Sequence, residues 1–193
     1  MSGTDEIIIG TRGSELALWQ ARTIQQALTK AAGVQSRLEI IHTTGDRDKS
    51  TPLAKMSTVS VFTREIEQAL LDHHIDLAVH SLKDLTTTQP EGLTLAAVGF
   101  RGDRRELLLV QPDAWDNTQR LQVKPECVIG TGATRRACQI AHLSPQSKTA
   151  DLRGNVPTRV QKLRDSHYDA IILALAGIPV SYTHLTLPTK RIV

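Results

Sequence analysis

An α/β fold with crossover connections is what this sequence predicts, and three observations predict it. Apolar or alternating runs at residues 7–11, 37–43, 76–80, 93–98, 107–110, 127–130, 149–152 and 168–174 read as strands, with helical periodicity between several of them. Four strand ends run into turns that carry Arg or Lys, and open α/β sheets receive ligands at such carboxyl ends. With 193 residues, 40% hydrophobic and 22% charged, the chain can bury a core and has room for one domain or two small ones.

The first unit of this grammar is strand, tight turn, helix. Ile7-Ile8-Ile9-Gly10-Thr11 enters the turn Arg12-Gly13-Ser14-Glu15, and Leu16, Trp19, Thr23, Ile24, Ala27 and Leu28 then recur at helical spacing until Gly33. Ser14 is the expected N-cap, so backbone amides and the Arg12 guanidinium could converge on an anion; a capped helix beside a solvated Arg12 reads equally well. A strand at 37–43 follows, then the loop 44–52, too polar to bury, then an amphipathic helix over 63–73 with Ile66, Ala69 and Leu70 inward. His73 and His74 read as surface residues at that helix's end, where a cation is favourable.

The helix leads into Asp76-Leu77-Ala78-Val79-His80-Ser81-Leu82-Lys83-Asp84, in which the apolar run Leu77 to Val79 delivers polar side chains to a sheet edge. Lys83 could hold an anionic group while Asp84 faces a developing positive charge or handles a proton. Turn chemistry alone, with Asp84 capping a helix in a solvated loop, is the competing reading. After a strand at 93–98, residues 99–103 form a plausible hinge, and the second half repeats the pattern. Thr131-Gly132-Ala133-Thr134-Arg135-Arg136 and Arg153-Gly154-Asn155, with Arg159 on the next helix, are two further candidate anion cradles.

Charge is distributed unevenly. Residues 1–100 hold 9 Lys and Arg against 12 Asp and Glu, whereas residues 101–164 hold 12 against 6, and nine of those 12 cations are Arg. Arginine is favoured where carboxylates or phosphates are gripped bidentately. Aromatics are only 3% of the chain, so stacking platforms for single-stranded nucleic acid are scarce and a small polyanionic ligand is the better expectation. Cys127 and Cys138 lack the short spacing of a zinc or redox motif and read as reduced, partly buried thiols; no metal site is expected. No apolar run reaches membrane-span length and the first ten residues lack a basic region, so a cytoplasmic protein is expected.

Six separated motifs carry a family resemblance. Gly10-Thr11-Arg12-Gly13-Ser14-Glu15-Leu16-Ala17-Leu18-Trp19-Gln20, Thr51-Pro52-Leu53-Ala54-Lys55, the stretch from Val79 to Asp84, Gly130-Thr131 with Arg135-Arg136, Leu152-Arg153-Gly154-Asn155 with Thr158-Arg159, and Tyr168-Asp169-Ala170-Ile171-Ile172-Leu173-Ala174 resemble, in order, the hydroxymethylbilane synthases, or porphobilinogen deaminases. The resemblance implies head-to-tail condensation of four porphobilinogen molecules with loss of ammonia, on a covalent dipyrromethane cofactor. Each pyrrole bears an acetate and a propionate, in keeping with an Arg-rich site. By the family's pattern Asp84 is the catalytic carboxylate, stabilising the azafulvene cation formed as ammonia leaves. Ser81, Lys83, Thr131, Arg135 and Arg136 would hold the cofactor, and Arg12, Ser14, Arg153 and Arg159 the substrate and growing chain. Also implied are two lobes like those of type II periplasmic binding proteins around a cleft, a third α+β domain, a monomer when complete, and neither nucleic acid nor membrane as partner.

On that pattern residues 1–103 form the first lobe and 104–179 an incomplete second one, with the third domain and its cofactor-anchoring cysteine absent, so this stretch alone is expected to be inactive. Residues 180–193 leave the pattern abruptly and resemble a translated sequencing adapter, an expected non-native tail. Met56-Ser57-Thr58-Val59-Ser60-Val61 replaces a Gly- and Lys-containing loop, and Ala133 stands where Ser is frequent. A two-lobe solute-binding or effector-sensing module for a small carboxylate is the alternative from another class. The adjacent Lys83 and Asp84 and the Arg135-Arg136 pair argue against it, since a simple carboxylate binder requires neither.

Overall fold

The computed structural model describes residues 6–47, 61–181 and 189–192. The chain divides into two compact units, Met1–Phe100 and Arg101–Val193. In the first, β1 (Ile7–Thr11) leads through α1 (Glu15–Ala32) to β2 (Ser36–Ile40), then α2 (Thr44–Arg47), α3 (Arg64–Leu71) and β3 (Leu77–Ala78). The strands form a parallel sheet in the order β2-β1-β3, with Ile9 opposite both Leu38 and Leu77. Parallel neighbours require crossovers, which α1 supplies between β1 and β2.

Helix α1 begins and ends as its sequence predicts. The Ser14 hydroxyl oxygen accepts a hydrogen bond from the Ala17 amide at 3.3 Å, and Gly33 closes the helix at φ 65° with its N–H donating to the Thr29 carbonyl. Its buried residues, however, are Ala17 and Ala21, and Trp19 is exposed. The apolar spacing placed the stripe on the larger side chains; small alanines instead let the helix lie close to β1.

Three further expectations in this unit are corrected. The strand expected over 76–80 pairs only at Leu77 and Ala78, with side chains partly buried, and residues 93–98 form no strand. Residues 44–47 of the supposedly solvated loop make a short helix with Gly45 buried, because Gly45 lies against the Phe62 ring; Thr43, just before it, is fully buried. Residues 48–52 lie outside the described residues, as do residues 56–60 of the divergent loop.

The second unit has β4 (Glu106–Val110), β5 (Val128–Gly130), α4 (Thr134–Leu143), β6 (Lys148–Ala150), α5 (Val156–Arg164), β7 (Ala170–Ala174), α6 (Ile178–Ser181) and β8 (Thr189–Ile192). Its sheet order is β6-β5-β7-β4-β8, with β5 parallel to β6 and β7, and β4 antiparallel to β7 and β8. Along β4, Leu107 and Leu109 join one core with Val160 and Leu163, while Leu108 and Val110 join another with Ile129 and Ile140. Alternate residues of β7 divide the same way, which is why these central strands read as unbroken apolar runs. Full burial of each such side chain stabilises by about 1.5–3 kcal/mol. Strand β8 falls within the stretch expected to be a foreign tail and pairs with β4 through Thr189–Ile192.

One device recurs in both units. Asp76 and Asp169 stand just before β3 and β7, and each carboxylate accepts the amide of the neighbouring strand, from Ile8 and Val128 respectively, both at 2.7 Å. The side chain thereby extends the ladder by one bond where strand pairing begins.

Candidate functional site

In the first unit the turn after β1 and the turn after β3 come together. Residues 82–84 form a single 3-10 turn opened by Ser81, whose hydroxyl donates to Gln20 Oε1 at 3.0 Å. Asp84 is only 19% exposed and meets two cations: Lys83 Nζ at 2.6 Å from Oδ1 and Arg12 Nη1 at 3.9 Å from Oδ2. Lys83 itself is 73% exposed, so its ammonium stays accessible to a ligand.

Arg12 is held from the side that the sequence reading missed. Its Nε contacts both Asp46 carboxylate oxygens at 3.1 Å, its Nη2 bonds Asp46 as well, and its guanidinium lies 4.2 Å from the centre of the Phe62 ring. Thr43 donates to Asp46 at 2.8 Å. Burial works to raise the Asp46 pKa, but the hydrogen bonds from Arg12 and Thr43 prevail and hold it below its ordinary value. His80 senses Glu67, Asp84 and Arg12, and burial, aided by Arg12, outweighs the two acids and lowers its pKa. Ser14, expected to touch substrate, spends its hydroxyl oxygen on the α1 cap.

In the second unit β5 delivers Thr131, which is buried and whose hydroxyl oxygen accepts the Ala133 amide at 3.2 Å. Gly132 is required there: a Cβ would stand 2.9 Å from the Leu152 carbonyl oxygen of the adjacent turn. Ala133 is the N-cap of α4 and makes no side-chain cap bond. Arg135 and Arg136, in the first turn of α4, both reach Glu106 at the start of β4, at 2.6 Å and 2.7 Å.

The turn after β6 adds two more guanidiniums. Arg153 is buried, Gly154 adopts φ 112°, and the Asn155 side chain caps α5 by accepting from the Thr158 amide at 3.0 Å. Arg159 folds back to donate to the Gly154 carbonyl at 2.7 Å. Its pKa is lowered, first by burial and then by Arg136 and Arg153, with Asp151 opposing. Three arginines from two separate turns thus sense one another. Such crowding is costly unless an anion is bound, and Arg136 Nε is buried with no hydrogen-bond partner. These residues fit a ligand bearing several carboxylates, including a dipyrromethane group.

The thiols lie elsewhere in chemistry and in place. Cys127 is buried beside a cavity of about 380 Å³ with Lys124, Tyr168 and Asp169, at the amino ends of β5 and β7, while Cys138, expected partly buried, is exposed on α4. Among the described residues no cluster suited to a metal ion occurs, and no helix is long and apolar enough to cross a membrane.

Two α/β units with cationic turns at their strand ends define a type II periplasmic-binding-protein-like architecture. The comparison with solved structures agrees on the fold. The probable amino-acid ABC transporter extracellular-binding protein from Bacillus subtilis superposes with a TM-score of 0.57 at 11% identity, over 98% of this chain and 79% of that one. A periplasmic substrate-binding protein of an ABC transporter from Coxiella burnetii gives 0.50 at 15% identity, over 95% and 79%.

Sequence comparison supplies the family. The domain described as "Porphobilinogen deaminase, dipyromethane cofactor binding domain" matches residues 7–186, and the chain belongs to the porphobilinogen deaminase family. The porphobilinogen deaminase of Moorella thermoacetica is 44% identical over 195 aligned positions, covering 95% of this chain and 61% of that protein. That of Sulfurimonas denitrificans is 43% identical over 175, covering 90% and 54%. The chain therefore spans a little over half the length of these curated relatives.

Proposed function

We propose that these units handle the pyrroles of a hydroxymethylbilane synthase, a transferase that joins four porphobilinogen molecules head to tail and releases ammonia at each step of tetrapyrrole biosynthesis. The observation that carries the reading is Asp84, a largely buried carboxylate flanked by Lys83 and Arg12 at the turn after β3. Such an acid, kept in place by cations, is suited to stabilise positive charge that develops on a pyrrole as ammonia departs.

The remaining roles divide by chemistry. Ser81, Lys83, Thr131, Arg135 and Arg136 hold the acetate and propionate groups of dipyrromethane, and Arg12, Ser14, Arg153 and Arg159 those of the incoming substrate and growing chain. When bound, dipyrromethane supplies the primer to which new units are joined. Guanidiniums suit this task because each grips a carboxylate through two parallel N–H bonds. Arg12 has a second duty, since its bonds to Asp46 fix the guanidinium that faces Asp84. The reading places the protein in the cytoplasm as a monomer acting on a water-soluble substrate, without nucleic acid or membrane as partner.

The test is to give porphobilinogen to the full-length protein and follow ammonia. Release of ammonia with appearance of a linear tetrapyrrole supports the proposal. Saturable binding of porphobilinogen with no ammonia released would instead favour the solute-binding alternative.

A further inference from the structure

Glu106 opens β4 and divides its carboxylate between two guanidiniums: Oε1 meets Arg135 Nη2 at 2.6 Å and Oε2 meets Arg136 Nη2 at 2.7 Å. The two arginines are not equivalent. The Arg136 side chain is 10% exposed and also donates through Nη1 to the Ile172 carbonyl of β7 at 3.4 Å, whereas the Arg135 side chain is 64% exposed. Glu106 faces Ala174 across the same β7, so sheet and helix together fix the acid and the inner arginine. Burial works to raise the Glu106 pKa, but the hydrogen bonds from Arg136 and Arg135 hold it below its ordinary value, so the acid is ionised at neutral pH.

We propose that Glu106 is a built-in counter-anion that fixes Arg136 and lends Arg135 to a ligand carboxylate, and so sets how tightly the arginine pair holds an acidic ligand. Glu106 and a ligand carboxylate compete for the same guanidinium. A buried guanidinium left without its acid is strongly destabilising, so Arg136 keeps Glu106 in every state. Exposed Arg135 loses little on leaving it, because an ion pair open to solvent contributes little. A ligand carboxylate thus displaces Glu106 from Arg135 alone, and one negative charge stays behind to moderate its hold.

This inference rests on the reading of Arg135 and Arg136 as carboxylate holders, and the test separates the two. The probe is a pyrrole bearing acetate and propionate but lacking the aminomethyl leaving group, which binds without reacting. Its affinity for the full-length protein prepared without covalent dipyrromethane, so that Arg135 and Arg136 are open to the probe, is measured by calorimetry at low and high salt. Arg135→Gln is expected to weaken binding about tenfold, the loss of one charge-assisted pair. Glu106→Gln is expected to tighten it about three- to tenfold, with a steeper salt dependence, as one screening charge is removed.

Because Glu106→Gln strands the Arg136 charge and can prevent folding, Glu106→Asp is the second variant. Its shorter carboxylate stays with Arg136 and releases Arg135, so binding is expected to tighten about two- to threefold, the worth of a surface ion pair, with the wild-type salt dependence. A merely structural Glu106 would weaken binding or leave it alone. If Arg135→Gln weakens binding but no folded Glu106 variant tightens it, the counter-anion role is overturned while the carboxylate-holder reading survives. If Arg135→Gln changes nothing, both are overturned.

Discussion

Asp46 grips Arg12 through both carboxylate oxygens, and the free end of the same guanidinium stands 3.9 Å from Asp84. The two acids lie 38 positions apart in sequence and share one cation. Asp46 therefore determines where the positive charge beside Asp84 sits.

From this pairing follows a pH signature. The folded-state pKa of Asp46 lies below its unfolded value near 3.8, so its stabilising contribution is present above that value and is lost as pH falls through the folded pKa. Asp46→Asn should lower the urea midpoint at neutral pH, and the gap from wild type should close as pH drops below 3.8. A gap that stays constant across that range would show that the Arg12–Asp46 charge pair contributes nothing to stability.

The thiols should separate cleanly in reactivity. Burial, followed by the Asp169 charge, raises the Cys127 pKa, while Cys138 is exposed on α4. Iodoacetamide at neutral pH is expected to alkylate Cys138 in the native protein and to reach Cys127 only on unfolding. Peptide mass mapping reads the order, and early labelling of Cys127 would contradict its burial.

Gly132 is predicted to resist substitution. Since the Cβ of Gly132→Ala would stand 2.9 Å from a backbone oxygen, one of the two turns must shift. The cost expected for such overpacking is about 1–3 kcal/mol. Denaturant unfolding measures it, and a variant as stable as wild type would mean that the Leu152 turn gives way freely.

How far the sequence revealed this arrangement depended on whether the signal was local. Helix α1 is bounded by Ser14 and Gly33, residues whose capping chemistry acts within a few positions, and it was legible for that reason. The apolar runs of β4 and β7 likewise declared themselves through burial on both faces. The strand expected over 93–98 failed because a run of apolar residues does not specify a partner to pair with, and in the structure Leu95 and Val98 are exposed.

The site was legible in its cations and obscure in its counter-ions. Arg12, Lys83, Arg135, Arg136, Arg153 and Arg159 follow strand ends and fall within recognisable motifs. Asp46 lay in a segment dismissed as too polar to bury, and Glu106 stood just outside the apolar run read at 107–110. Each acid meets its arginine across about 30 residues of chain, 34 for Asp46 and 30 for Glu106 with Arg136, and no local spacing reports such a pair.

If Asp84 stabilises charge that appears only in the transition state, as proposed, single-turnover ammonia release from porphobilinogen by the full-length protein depends on its carboxylate. Asp84→Asn keeps the shape of the side chain and removes its charge. Loss of such preorganised stabilisation is expected to slow release by about a hundredfold or more. Affinity for the pyrrole lacking the aminomethyl group should change little. Release at the wild-type rate by Asp84→Asn would show that the Asp84 charge takes no part in the loss of ammonia.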